Sequence, residues 1–482
     1  MCEQVYDYAE IVKETIEREV KLAAGEGFTL PELGGETRPT RVFVSTYHDT
    51  ADLALARHSI TFRHRIEDGA GVWQLKLPRA GEIRVELERP GPPAVPPPEL
   101  VALLVALLRT QKLEPVVRLR TRREVVRAGG AEVVDDSVAV LDHQRVTRRF
   151  REIEVELLDG DEHTLRRLEN ALRNAGADGS VFTPKLYRAL DLAYPRESAE
   201  VPEDAAPAEA LALRLCEQVT ALVSHDPGTR LGSDPEDLHQ LRVSTRRLRA
   251  FLRAARPLLA AGPTEELRSE LGWLGGALGP ARDLDVLLDH FSEEVGSLGD
   301  EAAEAAGLIA ALQERRSEAR VVLLEALSSE RYFELLDRVT GFANDPPRLA
   351  SDETLAAIWW AEAKRLHRAV DGLGEEPSDQ ALHAVRIRVK RARYAAELAA
   401  HELGKRGARY VACAKTAQDV LGAHQDAFVA EEEIRAWASD RPQVEAAAAR
   451  LVELERARRA EARAAWPAAW ERLSKSARRA RP

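Results

Sequence analysis

The sequence predicts a multidomain α+β plus all-α protein, with an antiparallel β domain first and a helical-bundle domain second. Three observations carry this expectation. Up to about residue 190, short segments alternate apolar and polar residues with period two. The stretch "YPRESAEVPEDAAPAEA" then reads as a Pro-, Ala- and acid-rich linker. From Leu211 onward, nearly every segment carries Ala, Leu, Arg and Glu at helical spacing. The expected boundaries are 1–195 for the first domain, 196–209 for the linker and 210–482 for the second domain.

In chain order, "REVKL", "RVFVSTYHD", "ITFRHRI", "GVWQLKL", "IRVELER", "VVRLRTRREVV", "EVVDDSVAVL" and "RFREIEVELL" read as strands, with breaks such as "DGAG" and "AGG" between them. "ELVALLVALLRTQ" and "DEHTLRRLENALRNAG" read as helices among or after the strands. In the second domain, "LGWLGGALGP" and "FANDPPRLASD" are expected to be turns between long helices.

The charge balance limits the partners. With 69 basic and 80 acidic residues, the net charge of −11 gives no overall field for nucleic acid or an anionic membrane, so any polyanion site must be local. Cys2, Cys216 and Cys413 are too scattered for a disulfide framework or a paired-cysteine metal site, which fits a reducing cytoplasm. The N-terminal residues hold no apolar signal core, and no run approaches the ~20 apolar residues of a spanning helix, so a soluble cytoplasmic protein is expected.

The helical domain repeats itself. "LHQLRVSTRRLRAFL" from Leu238 aligns without gaps on "LHAVRIRVKRARYAA" from Leu382, and "LGPARDLD" from Leu278 on "LGAHQDAF" from Leu421. Two similar halves follow, about 210–345 and 350–482. On a helix, His239, Arg242, Arg246, Arg249 and Arg253 fall within an arc of roughly 80°. His383, Arg386, Lys390 and Arg393 occupy the same arc in the second copy. Like charges at this spacing repel, and no acid lies between His239 and Arg256 to pair with them. Two readings stand: a basic face neutralised by solvent or by acidic helices, or a site for a ligand with closely spaced negative charges. Nucleic acid is the weaker ligand, because no aromatics for base stacking are interleaved in the stripe.

These repeated His-x-x-Arg-x-x-x-[Arg/Lys]-Arg-x-Arg helices, with the paired "LG" segments ending in Asp283 and Asp426, resemble the conserved-histidine α-helical (CHAD) family. The resemblance implies two pseudo-symmetric helical bundles that bind inorganic polyphosphate through His239, Arg242, Arg246, Arg249, Arg253, His383, Arg386, Lys390 and Arg393. Asp283 and Asp426 would orient the basic side chains or cap a helix.

The first domain also carries charge at period two: Glu17, Glu19 and Lys21; Arg63 and Arg65; Arg84, Glu86 and Glu88; Arg118, Arg120 and Arg122; Glu152, Glu154 and Glu156. One such strand is an ordinary solvated face, but five suggest a shared charged interior. A closed antiparallel barrel mixing carboxylates with Lys and Arg suits a metal-bound triphosphate.

Glu-x-Glu-x-Lys at Glu17–Lys21, "YHDT" from Tyr47, Arg63-x-Arg65, "LKLP", "VELER", "EIEVEL" and "TPKLYRAL" resemble the CYTH family, the triphosphate tunnel metalloenzymes. This resemblance implies an eight-stranded tunnel. It also implies Mg²⁺ or Mn²⁺ held by Glu17, Glu19, Glu154 and Glu156, and triphosphate held by Lys21, Arg63, Arg65, Lys76, Arg118, Arg120, Arg122 and Lys185. Neither Tyr47 nor His48 is given a catalytic role, because His48 stands where the family commonly has an aromatic pair.

Together the two resemblances imply a polyphosphate-binding protein whose tunnel hydrolyses inorganic triphosphate or short polyphosphate. Binding without turnover, or targeting to polyphosphate granules, is the alternative. Nucleotide or thiamine triphosphate chemistry is less favoured, since no base-recognition element is evident. The expected partners are inorganic triphosphate and polyphosphate, with no specific nucleic acid and no membrane.

Overall fold

A computed structural model describes residues 12–24, 27–79, 83–178, 183–195, 201–202 and 204–482, and only the backbone of Glu17 and Asp300. The chain divides into two compact units, Met1–Glu197 with Asp226–Leu231, and Ser198–His225 with Gly232–Pro482.

The first unit runs β1 (Lys13–Ala24), β2 (Glu36–Asp49), α1 (Ala54–Arg57), β3 (Thr61–Glu67), β4 (Ala70–Pro78), β5 (Ile83–Pro90), α2 (Pro98–Ala102), α3 (Val105–Leu108), β6 (Glu114–Ala128), β7 (Ala131–Asp142), β8 (Arg145–Leu157), α4 (Glu162–Asn174), β9 (Ala177–Asp178) and α5 (Lys185–Leu190). The "ELVALLVALLRTQ" helix is thus two short pieces, α2 and α3, rather than one. The strands pair antiparallel in the order β5-β4-β3-β2-β6-β7-β8-β1, and β1 also pairs with β5, so eight strands form a closed ring with β9 appended to β1.

Local chemistry explains the connections. "DG" between β3 and β4 is a two-residue hairpin turn in which Glu67 pairs with Ala70. Asp68 and Gly69 both have positive φ (49° and 80°), the combination that matches strand twist and that Gly tolerates without strain. The α4 helix starts where Asp161 accepts a hydrogen bond from the Thr164 N–H at 2.8 Å. Its Leu165, Leu168 and Leu172 cover Leu22, Val133, Ile153 and Val155 on the outside of β1, β7 and β8. Leu186 and Tyr187 of α5 pack with Tyr47, Leu119 and Val138 in a separate apolar cluster.

The second unit, together with Asp226–Leu231 of the first, completes the helices: α6 (Pro207–Ser224), α7 (Asp226–Leu231), α8 (Pro235–Ala254), α9 (Ala261–Ser297), α10 (Ala302–Leu327), α11 (Glu330–Asn344), α12 (Leu355–Asp371), α13 (Asp379–Leu398), α14 (Ala400–Ala438) and α15 (Glu445–Ala480). The sequence repeat is a structural one. Both α8 and α13 have 20 residues, and each is opened by a side-chain cap, Asp234 for α8 and Ser378 for α13. The two pack against each other and so bring the basic stripes of the two halves together.

One expected turn is absent. "LGWLGGALGP" lies inside the 37-residue α9, which continues through Pro280. Tertiary packing overrides the helix-breaking composition here. Leu271, Leu274 and Leu278 are fully buried on one face, and Gly272 lets the Arg249 guanidinium approach the helix, where an added Cβ would lie 3.4 Å from Nη2. "FANDPPRLASD" does separate α11 from α12.

Asp49, fully buried at the end of β2, accepts hydrogen bonds from the N–H groups of Thr50 (2.7 Å), Leu55 (2.9 Å) and Ala56 (2.9 Å), and so organises α1. Asp49→Ala leaves these donors without their acceptor. It is expected to destabilise the first unit by roughly 2–4 kcal/mol, measured from that unit's transition in urea.

Candidate functional site

Ring closure gives each strand one inward face. Register carries that face around the barrel: Glu19 opposes Glu156, Lys21 opposes Glu154, Glu152 opposes Asp136, and Asp136 opposes Arg123. On the other side Tyr47 opposes Arg63, Arg63 opposes Gln74, and Lys76 opposes Glu86. Acids and bases are therefore intermixed on the interior face of one barrel, with acid opposite acid at Glu19–Glu156 and Asp136–Glu152.

At the centre of this network is Glu154. Its carboxylate accepts from Lys21 and from Lys185 Nζ (2.9 Å), and Arg123 Nη2 lies 3.3 Å away. Lys185, the first residue of α5, also contacts Glu152 at 2.5 Å and Asp136 at 2.9 Å. Arg123 grips Asp136 with two hydrogen bonds of 2.9 and 2.6 Å. Burial disfavours the charge of Glu154, but Lys185, Lys21 and Arg123 outweigh it and hold the carboxyl well below its usual range. Burial likewise opposes the charge of Lys185, yet Asp136, Glu152 and Glu154 raise it well above the usual lysine range. Glu152 goes the other way: burial pushes it up despite Lys185.

A second cationic group lies on β3 and β4. Arg63 donates to Gln74 at 2.8 Å and to the Tyr47 hydroxyl at 3.1 Å, and Lys76 lies 3.6 Å from Glu86. Arg65 stacks over Phe43 with its Nε making no hydrogen bond, and burial and then Arg63 disfavour its charge.

Lys21, Arg63, Arg65, Lys76 and Lys185 thus line the barrel interior with Glu19, Glu154 and Glu156. The Glu17 side chain lies outside the described residues, although its backbone pairs with Arg84. Arg118, Arg120 and Arg122 are placed differently from the expectation: all three are exposed on the outer face, opposite Thr46, Val44 and Val42. The interior residues of β6 are Leu119, Thr121 and Arg123. Period two tells which residues share a face but not which face is closed in. Arg123, Asp136 and Glu152 were missed as site residues, although Glu152 shares its face with the glutamates that were named.

The donor set is consistent with a hard divalent cation. Glu19 and Glu156 are cross-strand neighbours and Glu154 is one step along the same face, so all the donors are carboxylate oxygens. Glu154 is at present held by the two lysines.

In the helical unit, Arg242 donates to Asp283 at 2.6 Å, Arg246 to the Tyr394 hydroxyl at 2.8 Å, and His383 shares a 2.6 Å hydrogen bond with Gln425. Lys390 is pushed down to about 7 by burial, and then by Arg386 and Arg246. The Nε of Arg386 is buried without a hydrogen-bond partner. Burial and then Arg282 lower His239. The stripes therefore converge on a cationic centre of Arg242, Arg246, Arg386 and Lys390. Arg393 is held aside by Glu397 (2.8 Å) and Gln418 (2.9 Å). Arg249 and Arg253 carry the basic surface on toward Arg268 and Arg391, whose charges disfavour theirs after burial does. Arg268 and Arg391 were missed by sequence reasoning. Arg268 in particular lies near Glu265 and Glu270 in the sequence and reads there as an ordinary solvated residue.

Two family models match the chain, one in each unit. A CYTH domain model matches residues 15–179 and a CHAD domain model matches residues 213–435. Two curated Mycobacterium tuberculosis sequences, each described as an uncharacterized protein, are 33% identical over 436 residues, covering 83% of this chain and 83% of their own. Among solved structures, PptA from Streptomyces chartreusis is 26% identical with a TM-score of 0.48, covering 54% of this chain and 98% of that one. The CHAD domain from the plant Ricinus communis is 28% identical with a TM-score of 0.47, covering 57% and 94%. Among the described residues, no helix is long and apolar enough to cross a membrane.

The ion cluster makes the first unit sensitive to acid. Glu154 and Asp136 have depressed folded values, so their stabilisation is present above the ordinary carboxylate range of about 4 and is lost as pH falls through the lower folded values. Lys185→Met removes the cation shared by three buried carboxylates. It is expected to cost the first unit about 3–5 kcal/mol at neutral pH, with the deficit shrinking below pH ~4 as the carboxylates protonate. Thermal melts across that range measure the narrowing.

Proposed function

We propose, from the premise that this chain belongs to the CYTH family of triphosphate tunnels and carries a CHAD domain, that both of its units act on phosphate chains: the tunnel hydrolyses inorganic triphosphate or short polyphosphate, and the helical unit holds longer polyphosphate. The observation that carries the reading is the convergence of Lys21, Arg63, Arg65, Lys76, Arg123 and Lys185 with carboxylates on one closed-in face. A phosphate chain offers oxygens to the bases, and a divalent cation takes the carboxylates that the bases release. Glu19, Glu154 and Glu156 would hold Mg²⁺ or Mn²⁺, with Glu17 as a fourth ligand, and the cation would supply charge neutralisation and water activation for phosphoryl transfer. Metal and triphosphate are expected to bind cooperatively, because Lys21 and Lys185 leave Glu154 for the metal as they turn to phosphate.

Binding without turnover is the second reading, and the full compensation of Glu154 by Lys21 and Lys185 favours it. Phosphate release from the purified chain separates the two, with triphosphate, longer polyphosphate, ATP and thiamine triphosphate as substrates and Mg²⁺, Mn²⁺ or a chelator added. Metal-dependent release supports hydrolysis. No release with any substrate leaves a binding protein.

The inward and outward arginines of β6 give a sharper test. Arg123→Ala is expected to weaken triphosphate binding about tenfold or more, since a charge-assisted hydrogen bond contributes about 1.5–3 kcal/mol. Arg120→Ala on the outer face should leave affinity within about twofold. Equal losses in the two variants would count against the lumen as the binding site.

In the helical unit, Arg386→Ala with Lys390→Ala is expected to weaken long-chain polyphosphate binding by about a hundredfold or more, read by titration calorimetry. Arg393→Ala should cost less, because Arg393 is already held by Glu397 and Gln418. A bound polyanion favours charged Lys390, so binding takes up a proton. Affinity should therefore fall as pH rises above about 7, and Lys390→Arg should remove that part of the dependence.

A further inference from the structure

One titratable cluster in the helical unit has no part in this reading. His290 and Glu294 stand one turn apart on the same face of α9, and Glu455 reaches them from α15. They border the apolar core of Phe291, Val295 and Leu451. Glu294 is 3% exposed and Glu455 is fully buried. Two carboxylates in such surroundings need both counter-charge and hydrogen bonds. They lack part of the second requirement: neither Glu294 oxygen accepts a hydrogen bond, nor does Oε2 of Glu455. Oε1 of Glu455 meets His290 Nε2 at 2.6 Å.

The counter-charge within reach is a side chain at the rim. Nη1 of Arg458 lies 2.8 Å from Glu294 Oε1, 2.9 Å from His290 Nε2 and 3.6 Å from Glu455 Oε1, while the side chain remains 45% exposed. A cationic nitrogen thus sits against the imidazole, 2.9 Å from each ring nitrogen, and beside both carboxylates. It makes no hydrogen bond to Glu294, and its exposure leaves it free to swing out.

We propose that His290, Glu294 and Glu455 form a binding site for a first-row divalent cation such as Zn²⁺ or Co²⁺, with Arg458 as the internal cation that the metal displaces. One ligand atom from each residue lies within 4.8 Å of the others. Metal bonds of about 2.0–2.2 Å in a tetrahedral site place ligand atoms about 3.3–3.6 Å apart, so side-chain shifts of roughly 1 Å close the site. One imidazole with two carboxylates suits zinc-like ions better than Mg²⁺, which keeps its waters and prefers oxygen. Facing helices that supply Glu and His at one-turn spacing are a common way of building a metal site in a bundle. The sequence repeat does not duplicate the trio: the counterparts of His290 and Glu294 in the second half are Glu433 and Trp437, so the site belongs to one half. The inference is independent of the phosphate reading.

The test uses the full chain, freed of metal and equilibrated with Co²⁺ and then with Zn²⁺. Metal held elsewhere contributes equally to every variant. The wild type should bind one more equivalent than Glu455→Gln, with Co²⁺ absorption characteristic of low coordination that Zn²⁺ abolishes. His290→Asn should lose the same equivalent, which keeps the test valid if one variant fails to fold by circular dichroism. Arg458→Met should bind at least tenfold more tightly, because the competing cation is gone. Equal metal content in the wild type, Glu455→Gln and His290→Asn overturns the site. Unchanged affinity in Arg458→Met overturns the displacement.

Discussion

The first unit depends on one strand having two partners. Lys13–Arg18 of β1 pair with β5, and Glu19–Ala23 of the same strand pair with β8. This switch closes the sheet, and closure leaves the ring no free edge and gives it a single interior face. Because side chains alternate, closing the ring at one register fixes the interior residue of every other strand. A slip of one residue in β1 would put Val20 and Leu22 inside and Glu19 and Lys21 outside. The charged interior then follows from geometry: acids and bases removed from water must compensate one another, which is why Glu154 gathers Lys21, Lys185 and Arg123.

The helical unit meets a related problem with another solution. Duplication places equivalent helices α8 and α13 side by side, so their basic stripes meet. The symmetry of the two stripes is not complete. It is broken where Glu397 of α13, the counterpart of Arg253 in α8, takes Arg393 and Arg247. At the other end, Asp283 orients Arg242 and Asp426 faces Arg386 and Lys390, yet the positive charge there still exceeds the negative. Burial first, and then this excess, lowers the proton affinity of Lys390.

Much of this was legible in the sequence because it rests on period. Two-residue alternation located the strands, helical spacing drew the stripes, and repetition of His239 and Arg242 as His383 and Arg386 revealed the halves. What escaped depends on information that periodicity does not contain. Arg118, Arg120 and Arg122 look like a lumen row, but the side of β6 that becomes interior is decided by pairing with Thr46, Val44 and Val42. Arg123 follows them directly in the sequence and breaks the apparent pattern, yet it is the inward residue. Pro280 and its neighbouring glycines read as a break, and only the burial of Leu271, Leu274 and Leu278 explains why α9 passes through. Arg268 joins the basic surface from another helix, a proximity that no local window can show.

The two charged sites differ in a way that bears on how each takes an anion. Among the described residues, the tunnel bases Lys21, Arg63, Arg65, Lys76, Arg123 and Lys185 each have a carboxylate within 4 Å. Under the proposed function an incoming phosphate chain would therefore exchange partners rather than add charge, and the released carboxylates would need a cation of their own. Anion binding there would be tied to metal. On the helical seam the bases outnumber the acids and are held apart by helix packing, so an anion relieves repulsion that the fold has already incurred. Its affinity should depend on proton and salt concentration rather than on metal. Under the proposed function the two sites would take one ligand class under different chemical control, the first through carboxylates that need a divalent partner and the second through a lysine whose proton affinity burial and neighbouring cations lower to about 7.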